Sequence, residues 1–196
     1  MIYYPDAFLD NLLLEDIQYG DLTCRALNIN HQLGTITFTC REAGCVSGIT
    51  LGCRLLAKLG LTVTAHLQEG DFAKQGDCLI SAEGRADALH QGWKVVQNVL
   101  EWSCGVSDYM AKMLEIYHRY QPKGQIACTR KNIPNTKLLA TQAVLAGGGI
   151  IHRQGCSETI LLFANHRHFL SEPDNWLQQV TQLRQARSEE HTSELQ

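Results

Sequence analysis

Between Gln125 and His168 the chain reads QIACTRKNIPNTKLLATQAVLAGGGIIHRQGCSETILLFANHRH, and this stretch restricts the fold more than any other. Ile126 to Cys128 has the short apolar run of a buried strand and breaks into Thr129-Arg130-Lys131. Thr159 to Phe163 is predicted as a second strand, breaking into Asn165-His166-Arg167. Between them Leu138, Leu139, Ala143 and Ala146 fall on one side of a helix. Gly147, Gly148 and Gly149 end that helix, because glycine accepts the left-handed backbone of a C-cap. The order strand, helix, strand points to a βα-repeat fold. In α/β barrels the C-terminal ends of the strands build the active site, so basic residues placed there lean towards function.

The preceding chain has a different pattern. Pro5 opens a helix with Phe8, Leu9, Leu12 and Leu13 on one face, and Gly20-Asp21 closes the segment. Leu33 to Cys40 and Leu61 to Leu67 alternate apolar with polar residues, as strands with one buried face do, and Gly48 to Leu59 between them is predicted as a helix. Glycines at 70, 76 and 84 punctuate a stretch of tight turns between short strands. From Arg85 to Tyr120 the period is helical, with a broad apolar face that includes Val95, Val96, Val99, Leu100 and Trp102, and Gly105 is expected to break it. The expected fold class is therefore α/β: an α+β N-terminal domain with a helical connector over 1–104, then the start of an incomplete TIM-like β/α barrel over 105–186. About two barrel strands are expected before it stops. Residues 187–196 lose the apolar period and resemble the translation of a sequencing-library adapter, so they are expected to be an artefact.

A formal charge of -3 over 196 residues offers nucleic acid no general attraction, so anion binding must come from local clusters. No run approaches the ~20 apolar residues needed to span a bilayer, and the acidic N-terminus is the wrong charge for a leader peptide; a cytoplasmic protein is expected. The eight cysteines include no Cys-x-x-Cys pair and are read as buried thiols rather than a disulfide framework or a zinc site.

Arg130-Lys131 is the strongest chemical signal. A guanidinium can grip a carboxylate or phosphate bidentately while the neighbouring ammonium adds a point charge. His152-Arg153 is a second basic pair that could face the same barrel mouth. The glycine triplet follows a helix, whereas a dinucleotide loop opens one, so it is read as a cap and a close-packing element. His152, His166 and His168 have no accompanying carboxylate pattern, and no metal site is assigned. Glu15-Asp16 and Gly20-Asp21 are read as turn and capping residues. A minority alternative is a Schiff base on Lys131.

The run TRK with Pro134, then GGG, HR, Gly155 and NH, resembles the quinolinate (nicotinate-nucleotide) phosphoribosyltransferases, and GDLT near Thr23 and QNVLEWSCG at 97–105 fit the same family. Trp93-Lys94, LLF and HRHF look most like the branch found with molybdenum-transport genes. The resemblance implies transfer of a phosphoribosyl group from phosphoribosyl pyrophosphate to a carboxylate-bearing nitrogen heterocycle, assisted by Mg2+, in a homodimer whose active sites are shared. It implies that Arg130, His152 and Arg153 hold carboxylates, that Lys131 lies near the reacting group as the catalytic residue, and that Lys94 reaches across from the partner subunit. Lys137 and His166 are further candidates. Two departures stand out. The family's lysine and aspartate before Asn-His are Phe163 and Ala164 here, which removes a carboxylate partner and speaks against quinolinate. The family's acidic strand ends for magnesium and its phosphate loops are also missing, so this chain is expected to be inactive and prone to aggregate. The alternatives are a genuine carboxylating nicotinate-nucleotide pyrophosphorylase of NAD biosynthesis and a non-catalytic anion-binding module linked to molybdate uptake.

Overall fold

A computed structural model describes residues 2–182 in two compact units, which divide between Gln154 and Gly155. The adapter-like stretch 187–196 lies outside the described residues.

In the first unit, helix α1 (Asp6–Leu14) starts at Pro5 and buries Leu9 and Leu13, as its apolar face requires. A short helix α2 (Leu22–Ala26) follows, capped by Asp21, whose carboxylate accepts a bond from Cys24 N at 2.5 Å. That bond is the N-cap of α2, and it holds the Asp21 carboxyl below its ordinary range. Next come β1 (Leu33–Thr39), β2 (Gly44–Cys45), α3 (Ile49–Lys58), β3 (Thr62–Ala65), β4 (Phe72–Ala73) and β5 (Cys78–Arg85). The main sheet is antiparallel with order β1-β5-β3, and β2 pairs with β4. Strand β5 is longer than its apolar run suggested. Its polar half, Ser81 to Arg85, is held because β1 pairs with it on one side and β3 on the other. Ile80 and Ala82 face inward from this central strand against α3, and Gly52 of α3 lets the two approach: a Cβ there would stand 2.9 Å from Ile80 Cδ1.

Helix α4 (Ala86–His118) is one continuous element of 33 residues, about 50 Å long at 1.5 Å per residue. The expected break at Gly105 does not occur. A mid-helix glycine costs about 1 kcal/mol but removes no backbone bond, and the flanking turns bury Ser103, Ser107 and Met110. The helix therefore serves two cores: Val95, Val96, Val99 and Leu100 pack on the sheet layer, while Met110 and Leu114 pack on the elements that follow.

Those elements are β6 (Ala127–Cys128), α5 (Lys137–Ala146) and β7 (Ile150–Ile151), and the two strands are parallel, with Ala127 opposite Ile150 and Cys128 opposite Ile151. The βα-repeat is present, but its second strand is not the expected one. Ile150-Ile151 follows the glycines directly and finds β6 alongside; Thr159 to Phe163 forms no strand, because no described residue offers it a ladder. The glycine triplet does cap the helix and also packs closely. Gly148 adopts φ +85°, and a Cβ on Gly147 would stand 2.4 Å from the backbone oxygen of Ser107 in α4. Because the obstacle is backbone, Gly147→Ala is expected to lower stability by about 1–3 kcal/mol, as other overpacked positions do. A chemical-denaturation midpoint equal to that of the unaltered chain would refute this packing.

In the second unit, α6 (Ala164–Arg167) and a 3-10 turn at Pro173–Asn175 are followed by helical backbone over 176–182. No helix among the described residues is long and apolar enough to cross a membrane.

All eight cysteines are free. Burial pushes the Cys104 thiol up to about 11 and raises those of Cys45 and Cys53, so these remain protonated and inert at neutral pH. Cys156 alone is exposed among them.

Candidate functional site

Because β6 and β7 are parallel, their C-terminal ends point the same way. Thr129-Arg130-Lys131 leaves β6, and His152-Arg153 leaves β7 one ladder step beyond Ile151, where His152 N donates to Cys128 O at 3.0 Å. Crossing back from β6, the chain reaches the first turn of α5 at the same end. There Thr136 caps nothing with its side chain, since its hydroxyl donates to Ile133 O at 2.7 Å. A helix N-terminus carries partial positive charge, which adds to that of the side chains around it.

These three segments enclose a cavity of about 270 Å³. Arg130, Lys131, Lys137 and Arg153 line it, and none of the described residues that line it is an acid. Val106 of α4, Val144 of α5 and Ile151 of β7 supply an apolar floor. Arg153 is buried, with 8% of its surface exposed, whereas Arg130 and Lys131 are exposed. Lys137 donates from Nζ to the backbone oxygen of Gln154, which ties the start of α5 to the segment after β7. Lys131 N donates to Thr129 Oγ1 at 3.4 Å. Such a cavity can accept a ligand with more than one anionic group: the guanidinia offer bidentate forks, the ammonium groups offer point charges, and the floor suits an apolar or aromatic body.

Four of the candidate residues therefore converge, and three do not. His152 is exposed and is not among the residues lining the cavity. Lys94 donates to Gln97 Oε1 at 3.0 Å and lines a different cleft with Glu15, Asp16 and Asn98. His166, in the second unit, is engaged locally: its Nδ1 accepts from Phe163 N at 3.0 Å, and its ring stacks on Phe163 at 5.9 Å between centroids.

Trp102 also lines the cavity, although its place in the apolar stripe of α4 suggested only a core residue. Helical periodicity identifies the face a side chain occupies but not whether that face ends at a wall or at an opening.

Comparison with known proteins shows what the chain as a whole is similar to. The model for the N-terminal domain of quinolinate phosphoribosyl transferase matches residues 21–104, and the model for its C-terminal domain matches residues 106–196. ModD of Escherichia coli strain CFT073, which carries the name of a pyrophosphorylase, is 61% identical over 184 residues, covering 94% of this chain and 65% of that protein. A quinolinate phosphoribosyltransferase (decarboxylating) of Nicotiana tabacum is 28% identical over 149 residues, covering 75% of this chain and 41% of the relative. Among solved structures, NadC from Streptococcus pyogenes superposes with a TM-score of 0.80 at 26% identity, over 89% of this chain and 62% of NadC. The chain thus spans somewhat less than two thirds of the length of the relatives it matches.

Proposed function

The chain belongs to the quinolinate phosphoribosyltransferase family, and from that premise we propose that it carries the base-binding half of a phosphoribosyl-transfer site of the ModD branch. The proposed reaction joins a ring nitrogen of a carboxylate-bearing heterocycle to the anomeric carbon of phosphoribosyl pyrophosphate. The nitrogen lone pair forms the new bond, and the electrons of the broken carbon–oxygen bond leave with pyrophosphate.

The observation that carries this reading is the convergence of Arg130, Lys131, Lys137 and Arg153 on one cavity at the ends of two parallel strands. In the proposed roles Arg130 and Arg153 grip the carboxylate of the base; His152, next to Arg153 in the chain but outside the cavity lining, is proposed to assist them. Lys131 holds negative charge beside the reacting group. Such a transfer needs little covalent chemistry from the protein; fixing the two reactants and stabilising developing charge supply most of the acceleration. Lys94, in a separate cleft of its own chain, is proposed to serve a neighbouring copy in a homodimer.

Family resemblance implies magnesium. The residues lining the cavity do not fit it, since a hard divalent cation takes oxygen ligands and no carboxylate is among them.

Phe163 and Ala164, in place of a lysine and an aspartate, argue against quinolinate as the base. They also give the non-catalytic reading its one specific support.

The test is turnover by a protein of the relatives' length that carries these residues, supplied with phosphoribosyl pyrophosphate, magnesium and a panel of heteroaromatic acids. Pyrophosphate release dependent on one of the acids is expected, with quinolinate among the poorest. Lys131→Ala is expected to lower that rate at least a hundredfold, about the effect of removing one preorganised charge-stabilising donor. Tight binding of an acid with no release from any of them would leave the anion-binding module as the better account.

A further inference from the structure

The cation cavity has one aromatic wall. Trp102 stands on α4 between Val99 and Val106, half-buried, with part of its indole packed against the first core and part lining the cavity. Apolar residues that line the cavity with it include Val106, Cys128, Val144 and Ile151. The side chains that line the cavity with formal charge are all cations. The same indole borders a second, larger cleft with Tyr109 and Met113, and its partial packing against the core leaves it fewer rotamers to lose than a free side chain has, so it can act as a stacking surface.

Resting on the anion-cavity reading above, we propose that Trp102 is a specificity-determining residue, the platform on which the planar ring of an aromatic acid stacks while Arg130 and Arg153 take its carboxylate. The consequence is selection by shape rather than by charge. The cations alone would accept any carboxylate or phosphate of suitable size. A flat ring in contact with the indole gains dispersion and displaces water from the apolar floor, whereas a saturated ring of the same charge meets the indole only through its edges.

Calorimetric titration of the 196-residue chain with three probes separates the two kinds of recognition. Quinoline-2-carboxylate is planar, cyclohexanecarboxylate is not, and inorganic pyrophosphate carries charge without a ring. The unaltered chain is expected to bind the planar acid about tenfold more tightly than the saturated one, a ratio equal to about 1.4 kcal/mol and at the low end of ring-on-aromatic stacking. Trp102→Phe should keep most of that preference. Trp102→Leu and Trp102→Met should abolish it, with pyrophosphate affinity unchanged in all three variants, and methionine guards against the loss of packing that leucine could bring. A preference that survives in the leucine and methionine variants, or is absent from the unaltered chain, overturns the role of Trp102. If pyrophosphate binds but no planar preference exists, only this inference fails; if pyrophosphate does not bind at all, the anion cavity falls with it.

Discussion

Replacing Arg153 with methionine is expected to weaken the binding of inorganic pyrophosphate to this chain about a hundredfold. Arg153 is the buried cation of the cavity, and a charge-assisted hydrogen bond made out of bulk water is worth about 1.5–3 kcal/mol. At about 1.4 kcal/mol per factor of ten, loss of one bidentate grip accounts for a change of that size. Arg153→Lys should recover only part of it, since lysine keeps the charge and loses the planar fork. The same change at Arg130 should cost less, because an exposed guanidinium works in a higher dielectric. Calorimetry at low and moderate salt measures this, with thermal melts to show that the variants fold. An affinity within twofold of the unaltered chain for Arg153→Met would remove the cavity's central cation from consideration.

The second large effect is expected at a residue with no part in the chemistry. Glu69, in the turn before β4, reaches the N-terminus of α3 and accepts three bonds there: from Ser47 Oγ at 2.8 Å, from Gly48 N at 2.9 Å and from Thr50 N at 2.9 Å. Ser47 and Gly48 are buried and Gly48 has φ +87°, while Thr50 and Glu69 are half-buried, so two of the three donors have little access to water and the junction has little freedom to rearrange. A carboxylate at a helix N-terminus also meets the positive end of the dipole. Glu69→Ala should therefore cost about 3 kcal/mol, since each buried donor left without an acceptor costs about 1–3 kcal/mol and the three share one partner. In a chain of this size that is a fall in Tm of about 6–12 °C. Glu69→Gln, which keeps an acceptor oxygen, should lose less than half as much. A melt of Glu69→Ala indistinguishable from that of the unaltered chain would mean that the α3 cap is dispensable.

Much of the fold was legible from local pattern. Strand β1 and helices α1, α3 and α5 lie where the periodicity of 2 or 3.6 placed them, because each buries one face against a core; β3 also lies where its alternation placed it, although only Val63 of it is even half-buried. The glycine triplet was recognisable as a helix end for the same local reason: Gly148 needs a backbone that other residues avoid. The cation pairs were recognisable too, since charges that interrupt apolar runs stand out in any reading of the chain. The errors have a common source. Gly105 was expected to end a helix that the burial of both flanks carries through, and Thr159 to Phe163 was expected to be a strand on composition alone. A strand exists only where a second one pairs with it, and the partner of β6 is Ile150-Ile151.

Amino-acid order alone was enough to specify an α/β chain with basic residues at strand ends, because propensity and hydrophobic period act over a few residues at a time. Which of those residues meet was decided by tertiary structure. The register that sets Cys128 opposite Ile151 brings Arg153 to the cavity of Arg130 and Lys131, the tie from Lys137 to Gln154 adds a fourth cation, and the course of α4 turns Trp102 towards that cavity while leaving Lys94 in another cleft. The ladder partners Cys128 and Ile151 are 23 positions apart and Lys137 and Gln154 are 17 apart, and no pattern with a period of two or four reaches that far.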